Sequence, residues 1–209
     1  MIENFLRRPQ TAAEFVADAL RVAGLIGVIV AAVRWTPTDA GVLAFTFPGL
    51  LIPRFVGVRP WFDITFCVTL LVAAWSNVFD LYTRLVAWDL VVHLMCTGVL
   101  AAVLYLLLAR LGIVADPDDE RVPVVTAVIT TTVIGLAVSA LWEMVEWFGH
   151  AFLSDEIFVA YEDTIADLAI GGLGAVLAGF AIAYLPVSRR RSPAEPPPTR
   201  VRAGNGSTG

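Results

Sequence analysis

Six stretches of about 20 mostly apolar residues dominate the chain, and that is the length an α-helix needs to cross a hydrocarbon core about 30 Å thick. The clearest run over Trp88 to Ala109, Val122 to Trp142 and Ile165 to Val187. Trp61 to Phe79 qualifies despite Asp63 near one end. The first, about 15–35, has a purely apolar centre from Val22 to Val33 flanked by Arg21 and Arg34, which are expected to snorkel to the headgroups. The remaining stretch, about 40–58, contains Pro48 and Pro53; they predict a kinked, re-entrant or interfacial piece. The whole-chain composition agrees with the runs: 58% of the 209 residues are hydrophobic and only 16% charged, with a mean hydropathy of +0.77. Such a chain lacks the polar surface that a water-soluble domain needs. A cytosolic enzyme, a nucleic-acid-binding module, a disulfide-stapled secreted domain and a disordered chain are all excluded.

The expected fold is therefore all-α, a polytopic helical membrane bundle occupying 1–187 with about six spans. All 14 basic residues are Arg, a bias that suggests a GC-rich, bacterial genome and so a multi-pass protein of the bacterial plasma (inner) membrane. Their placement predicts orientation, because Arg is enriched on the cytoplasmic side. With the N-terminus inside, twelve Arg fall inside and only Arg34 and Arg84 outside. Both termini are thus expected to be cytoplasmic. Arg34-Trp35-Thr36-Pro37 is no small-residue cleavage site, so the first span reads as an uncleaved anchor. The tail, 188–209, turns from Arg-rich to Pro-rich to Gly/Ser-rich and is expected to be disordered. Cys67 and Cys96 lie inside apolar runs and read as small buried hydrophobes.

Ionisable residues in spans are costly, so their positions carry information. Asn77 and Asp80 close the third span, Asp89 and His93 open the fourth, Glu143, Glu146 and His150 close the fifth, and Asp163 and Asp167 open the sixth. With the spans oriented as above, all lie at the outer end. Asp89 and His93 are four apart, as are Asp163 and Asp167; Glu143, Glu146 and His150 follow at three and four. Each set shares one helix face. The stripes continue inward with Cys96 and Thr97, with Ser139, Gly135 and Thr132, and with Gly171, Gly174 and Ala175. Gly171, Ala175 and Gly179 have the spacing that lets helices approach closely.

Carboxylates with imidazole, and no thiolate, suit one or two divalent cations such as Zn, Mn, Fe or Mg. His93, Glu143, Glu146, Asp163 and Asp167 are the candidate ligands, and Asp89 and His150 the candidate proton-handling groups. The expected activity is hydrolysis or transfer on a small-molecule, envelope or lipid-linked substrate. A cation or proton transporter and a non-catalytic membrane scaffold are the alternatives. The expected partner is the lipid bilayer, with no nucleic acid. Trp75, Trp88, Trp142, Trp147, Tyr82 and Tyr161 crowd the same end and read as an interfacial aromatic belt.

The order Asn77-x-x-Asp80-Leu81-Tyr82, Trp88-Asp89-x-x-x-His93, Glu143-x-x-Glu146-Trp147 and Asp163-x-x-x-Asp167 before a Gly-rich stretch resembles the YjdF-like family of small bacterial inner-membrane proteins. More distantly it is similar to the VanZ-like family. The resemblance covers Asn77 to Phe180 and implies a membrane protein without an assigned activity. The chain departs from those patterns at Gly171, where VanZ-like sequences tend to carry Asn, and at Glu162-Asp163, where YjdF-like ones tend to carry Trp-Asp.

Overall fold

The computed structural model describes residues 1–119, 121–154, 157 and 159–189. It is built of helices: α1 (Ile2–Leu6), α2 (Ala12–Arg34), α3 (Pro37–Val56), α4 (Pro60–Val78), α5 (Leu81–Arg84), α6 (Trp88–Arg110), α7 (Val124–Phe152) and α8 (Tyr161–Tyr184). Among the described residues the one extended pairing is an isolated antiparallel bridge between Val58 and Ser188. Six of the helices, α2, α3, α4, α6, α7 and α8, are long and apolar enough to cross a membrane. The multi-pass helical reading is thus borne out.

Local sequence explains the starts and stops. Thr11 caps α2 by accepting from the Glu14 amide. Thr36 and Asp39 form a capping box ahead of Pro37 at the first position of α3. Gly57 ends that helix at φ 76°, in the left-handed region open to glycine. The two internal prolines do not break α3 into a re-entrant piece: Pro48 and Pro53 both sit within one 20-residue helix. The Leu50 carbonyl of the same helix accepts from Arg21 Nε at 2.9 Å, which ties α3 to α2. The fifth span also runs further than its apolar stretch, with α7 continuing through Glu143, Glu146 and His150 to Phe152.

The helices form two groups of three, α2 with α3 and α4, and α6 with α7 and α8, joined where α3 and α4 meet α6. Leu50, Phe66, Cys67, Val103 and Tyr105 fill the centre. The outward faces are apolar too: Val22, Ile26, Ile29 and Val33 on α2 and Ile129, Val133 and Leu136 on α7 are exposed, as suits contact with lipid tails.

Both described ends of the chain lie at one end of the bundle, here termed the terminal end. Asn4 donates to the Phe55 carbonyl at 3.4 Å, and the rings of Phe5 and Phe55 stack at 4.2 Å. Glu14 binds Arg7 at 2.7 Å and also Arg189. The Arg59 amide donates to the Val187 carbonyl at 2.8 Å. Ser188 and Arg189, the start of the tail, are therefore tied to the bundle; the remainder of the tail lies outside the described residues. Arg21 does not snorkel. It is buried and pairs with Asp63 of α4 and, at 3.0 Å, with Asp18. Asp18 in turn binds Arg54 of α3 at 3.0 Å. One ionic network thus fastens α2, α3 and α4.

Candidate metal centre

The opposite, distal end positions the polar stripes. Close helix packing brings them together. On α6, a Cβ at Gly98 would stand 3.0 Å from the Gly174 carbonyl oxygen of α8, and one at Gly174 would overlap the Leu94 carbonyl oxygen. On the α7 side, Gly135 meets Ala175, and a Cβ at Gly179 would lie 2.7 Å from Val128 Cα. The expected small-residue stripe of α8 is thus what α7 packs on, while Gly174 serves α6. Side chains one or two turns above these crossings necessarily face one another.

His93 stands at the centre. It is 6% exposed, and three carboxylates surround its ring. Nε2 lies 3.6 Å from Asp89 Oδ1 on its own helix and 3.8 Å from Asp167 Oδ2 on α8. Nδ1 lies 3.9 Å from Glu143 Oε1 on α7. All three separations exceed hydrogen-bond length. Ligand atoms of Asp89, His93 and Asp167 fall within 4.8 Å of one another, and so do those of His93, Glu143 and Glu146. Burial deepens inward: the Asp89 side chain is 35% exposed, that of Glu143 10% and that of Asp167 2%. Glu143 Oε1 and Asp167 Oδ1 are buried without a hydrogen-bond partner among the described residues. A buried, unpartnered carboxylate oxygen costs several kcal/mol, roughly, unless a cation or proton meets it.

Two ligands each about 2.1 Å from a tetrahedral cation stand about 3.4 Å apart. On the Nε2 edge the observed 3.6 and 3.8 Å exceed this by a few tenths of an ångström, and the ligand atoms of Asp89, His93 and Asp167 all lie within 4.8 Å of one another. The group therefore has the donor types and nearly the spacing to hold a divalent ion.

The other sequence-derived residues fall elsewhere. Asp163 is half-buried one turn nearer the distal surface on the Asp167 stripe, outside both groupings. His150 is exposed, and its Nδ1 lies 2.6 Å from the Ile157 carbonyl oxygen. Because a carbonyl only accepts, Nδ1 carries the proton, and His150 fastens the end of α7 to the segment after it. Asn77 donates to Asp39 at 2.9 Å and Asp80 pairs with Arg84 at 3.2 Å on the surface; both serve the connections between helices. Of the expected aromatic belt, Trp88 Nε1 donates to Ser76 Oγ at 2.9 Å. Tyr82, between α4 and α6, donates to the Ala73 carbonyl at 3.0 Å. Burial, with added influence from Cys96, Asp89 and Glu146, pushes its phenol above the ordinary range.

Below the cluster the stripe continues through Ser139 and Thr131, both fully buried, with hydroxyls that have no hydrogen-bond partner among the described residues. Thr132, the residue expected there, instead bonds back to the Val128 carbonyl at 2.7 Å. Ser139 and Thr97 both pack on Gly171, whose Cβ would lie 2.9 Å from each hydroxyl oxygen.

No curated protein matches the chain, and no solved structure does. One family does, described as predicted membrane protein (DUF2238), and its match runs over residues 15–188, from the first turn of α2 to the residue that bridges Val58. With most of its length and all six long helices inside that match, the chain belongs to this family of membrane proteins.

Proposed function

We propose that this protein holds a divalent cation at the His93 cluster and acts, at the outer face of a bacterial plasma membrane, as a hydrolase or transferase on an envelope or lipid-linked substrate. The observation that carries this reading is the convergence of Asp89, Glu143 and Asp167 on one imidazole at 3.6–3.9 Å. A cation on Nε2, with Asp89 and Asp167, satisfies the buried charge that the helices have brought together. Nδ1 of the neutral ring would then carry the proton and face Glu143, now 3.9 Å away, as in the carboxylate–histidine arrangement that fixes a metal-binding tautomer. Such an ion supplies Lewis acidity and brings the pKa of a bound water to about 7. Asp89, partly exposed, marks the entry from the distal surface, and Asp163 is the carboxylate placed to pass protons outward. The Arg distribution supports placing the distal end outside the cell, with both termini inside. The resemblance of this order of motifs to YjdF-like and VanZ-like sequences supports treating these residues as one unit.

A second reading, a cation or proton transporter, draws on the buried hydroxyls of Ser139 and Thr131 that extend the stripe inward. Flux into proteoliposomes driven by a cation or proton gradient favours it; its absence in a metal-loaded protein favours the enzyme.

Elemental analysis of the detergent-purified protein, supplied with zinc or manganese and then freed of loose metal, tests the proposal. Stoichiometric metal is expected in the wild type and in His150→Gln. At least one equivalent is expected to be lost in His93→Gln/Asp167→Asn. A wild type that keeps no divalent metal overturns the reading.

A further inference from the structure

We propose that an anionic phospholipid docks at the terminal end of the bundle, with one acyl chain in a groove over α6 and its phosphate on Arg59. The groove exists because α4 and α8 both pack on α6 but not on each other. Gly98 and Ala102 of α6 form its buried floor. Trp61 and Thr65 of α4 stand on one side, and Leu177 and Ala181 of α8 on the other. The space is about 250 Å³. The N–H and O–H groups of its lining side chains are already engaged: Thr65 donates to the Trp61 carbonyl at 3.0 Å, and Trp61 Nε1 to the Pro186 carbonyl at 3.4 Å. The walls therefore offer hydrocarbon and no free side-chain donor. The rim faces lipid, since Trp61, Met95 and Leu177 are exposed. From Gly174 to Leu185 the α8 wall runs about 16 Å at 1.5 Å per residue, close to one leaflet of a hydrocarbon core about 30 Å thick. His93 and its carboxylates are not among the residues that line it.

An apolar groove alone does not choose its occupant, because every lipid tail is as apolar as its walls. Charge at its terminal end does. Two short segments cross there: Val58 bridges Ser188, and the Arg59 amide donates to the carbonyl of Val187, itself part of the lining. Arg59 is half-buried, and its Nε donates to the Ser188 carbonyl at 3.3 Å. That bond holds the guanidinium beside the groove. Its four Nη–H donors have no acceptor, and its charge no carboxylate, among the described residues. Other arginines of this end are neutralised: Arg7 and Arg189 pair with Glu14, Arg54 with Asp18 and Arg21 with Asp63. A planar fork of N–H donors matches the oxygens of a phosphate. The depth also fits. Indole rings settle at the headgroup level, and Arg59 lies two residues beyond Trp61 towards the terminal surface. A zwitterionic lipid brings the same chain but carries its own ammonium against its phosphate. An anionic one brings an uncompensated phosphate, which is what basic groups at this level attract.

Native mass spectrometry of the full chain in detergent, titrated in parallel with dioleoyl phosphatidylglycerol and dioleoyl phosphatidylcholine, tests the site. The wild type is expected to retain phosphatidylglycerol about tenfold more tightly, the scale of one charge-assisted contact. Arg59→Gln is expected to abolish that preference, and Arg8→Gln, exposed at the same end, to keep it. Ala181→Phe, which fills the groove, is expected to weaken retention of both lipids. Glycerol phosphate in excess is expected not to displace the bound lipid, because it lacks the chain. Equal retention of the two lipids by the wild type overturns the proposal, and that comparison needs no variant to fold. A preference that survives Arg59→Gln, or that Arg8→Gln removes as fully, also overturns it. So does retention unchanged in Ala181→Phe, or displacement by glycerol phosphate.

Discussion

Replacing Arg21 by Met is predicted to destabilise the protein more than replacing its partner Asp63 by Leu, and the double replacement is predicted to restore most of the loss. The Arg21 and Asp63 side chains are 8% and 10% exposed. Removing one member of a pair this buried costs about 3–5 kcal/mol, because the other charge is left uncompensated. The structure breaks the symmetry. Without Asp63, the guanidinium keeps Asp18 at 3.0 Å and the Leu50 carbonyl at 2.9 Å. Without Arg21, the side-chain donor left to Asp63 among the described residues is the weak thiol of Cys67 at 3.8 Å. Arg21→Met should therefore lie near about 4 kcal/mol and Asp63→Leu near about 2 kcal/mol. At about 2–4 °C per kcal/mol for a chain of this size, these are losses of roughly 8–16 °C and 4–8 °C. Arg21→Met/Asp63→Leu removes both charges and should return to within about 1 kcal/mol of wild type, a coupling well above the roughly 0.5 kcal/mol expected of independent sites. Thermal unfolding in detergent, followed by loss of the monodisperse species, measures all four proteins. Additive losses in the double variant, or a larger effect from Asp63→Leu than from Arg21→Met, would refute the reasoning.

Other outcomes follow from the packing and the charge pattern. Gly174→Val should prevent α6 and α8 from closing on Leu94 and abolish recovery of monodisperse protein, whereas Gly41→Ala, with open space around it in α3, should match the wild type or exceed it by up to about 1 kcal/mol, the helix preference for Ala over Gly. For orientation, a membrane-impermeant maleimide should label Val86→Cys, fully exposed at the distal end, in intact cells. Ile113→Cys, exposed just beyond α6 at the terminal end, should react only after lysis; the opposite pattern would invert the topology.

Helical spacing makes much of the candidate site legible in the amino-acid sequence. Asp89 with His93, Glu143 with Glu146, and Asp163 with Asp167 are one turn apart, so each pair shares a face, and a bundle of short connections can bring those faces together. What spacing cannot give is the rotation of each helix. Thr131 and Thr132 differ by about 100° around α7, and the structure buries the former and turns the latter back to its own helix. His150 follows Glu146 at a helical interval but lies where α7 runs out of neighbours, so its ring bonds a backbone carbonyl instead of the cluster. The Arg21–Asp63 pair joins residues 42 positions apart. No local signal separates such a buried arginine from one that reaches for headgroups. Nor does a local signal show that Pro48 and Pro53 lie within one continuous helix.

X-ray absorption at the zinc edge of the loaded, detergent-purified protein tests the central claim most directly. A first shell of nitrogen and oxygen at about 2.0–2.1 Å, with the outer scattering of a single imidazole that disappears in His93→Gln, is the predicted result. A shell of sulfur at about 2.3 Å, two or more imidazoles, or a spectrum unchanged in His93→Gln would contradict a cation held by His93 among the carboxylates of α6, α7 and α8.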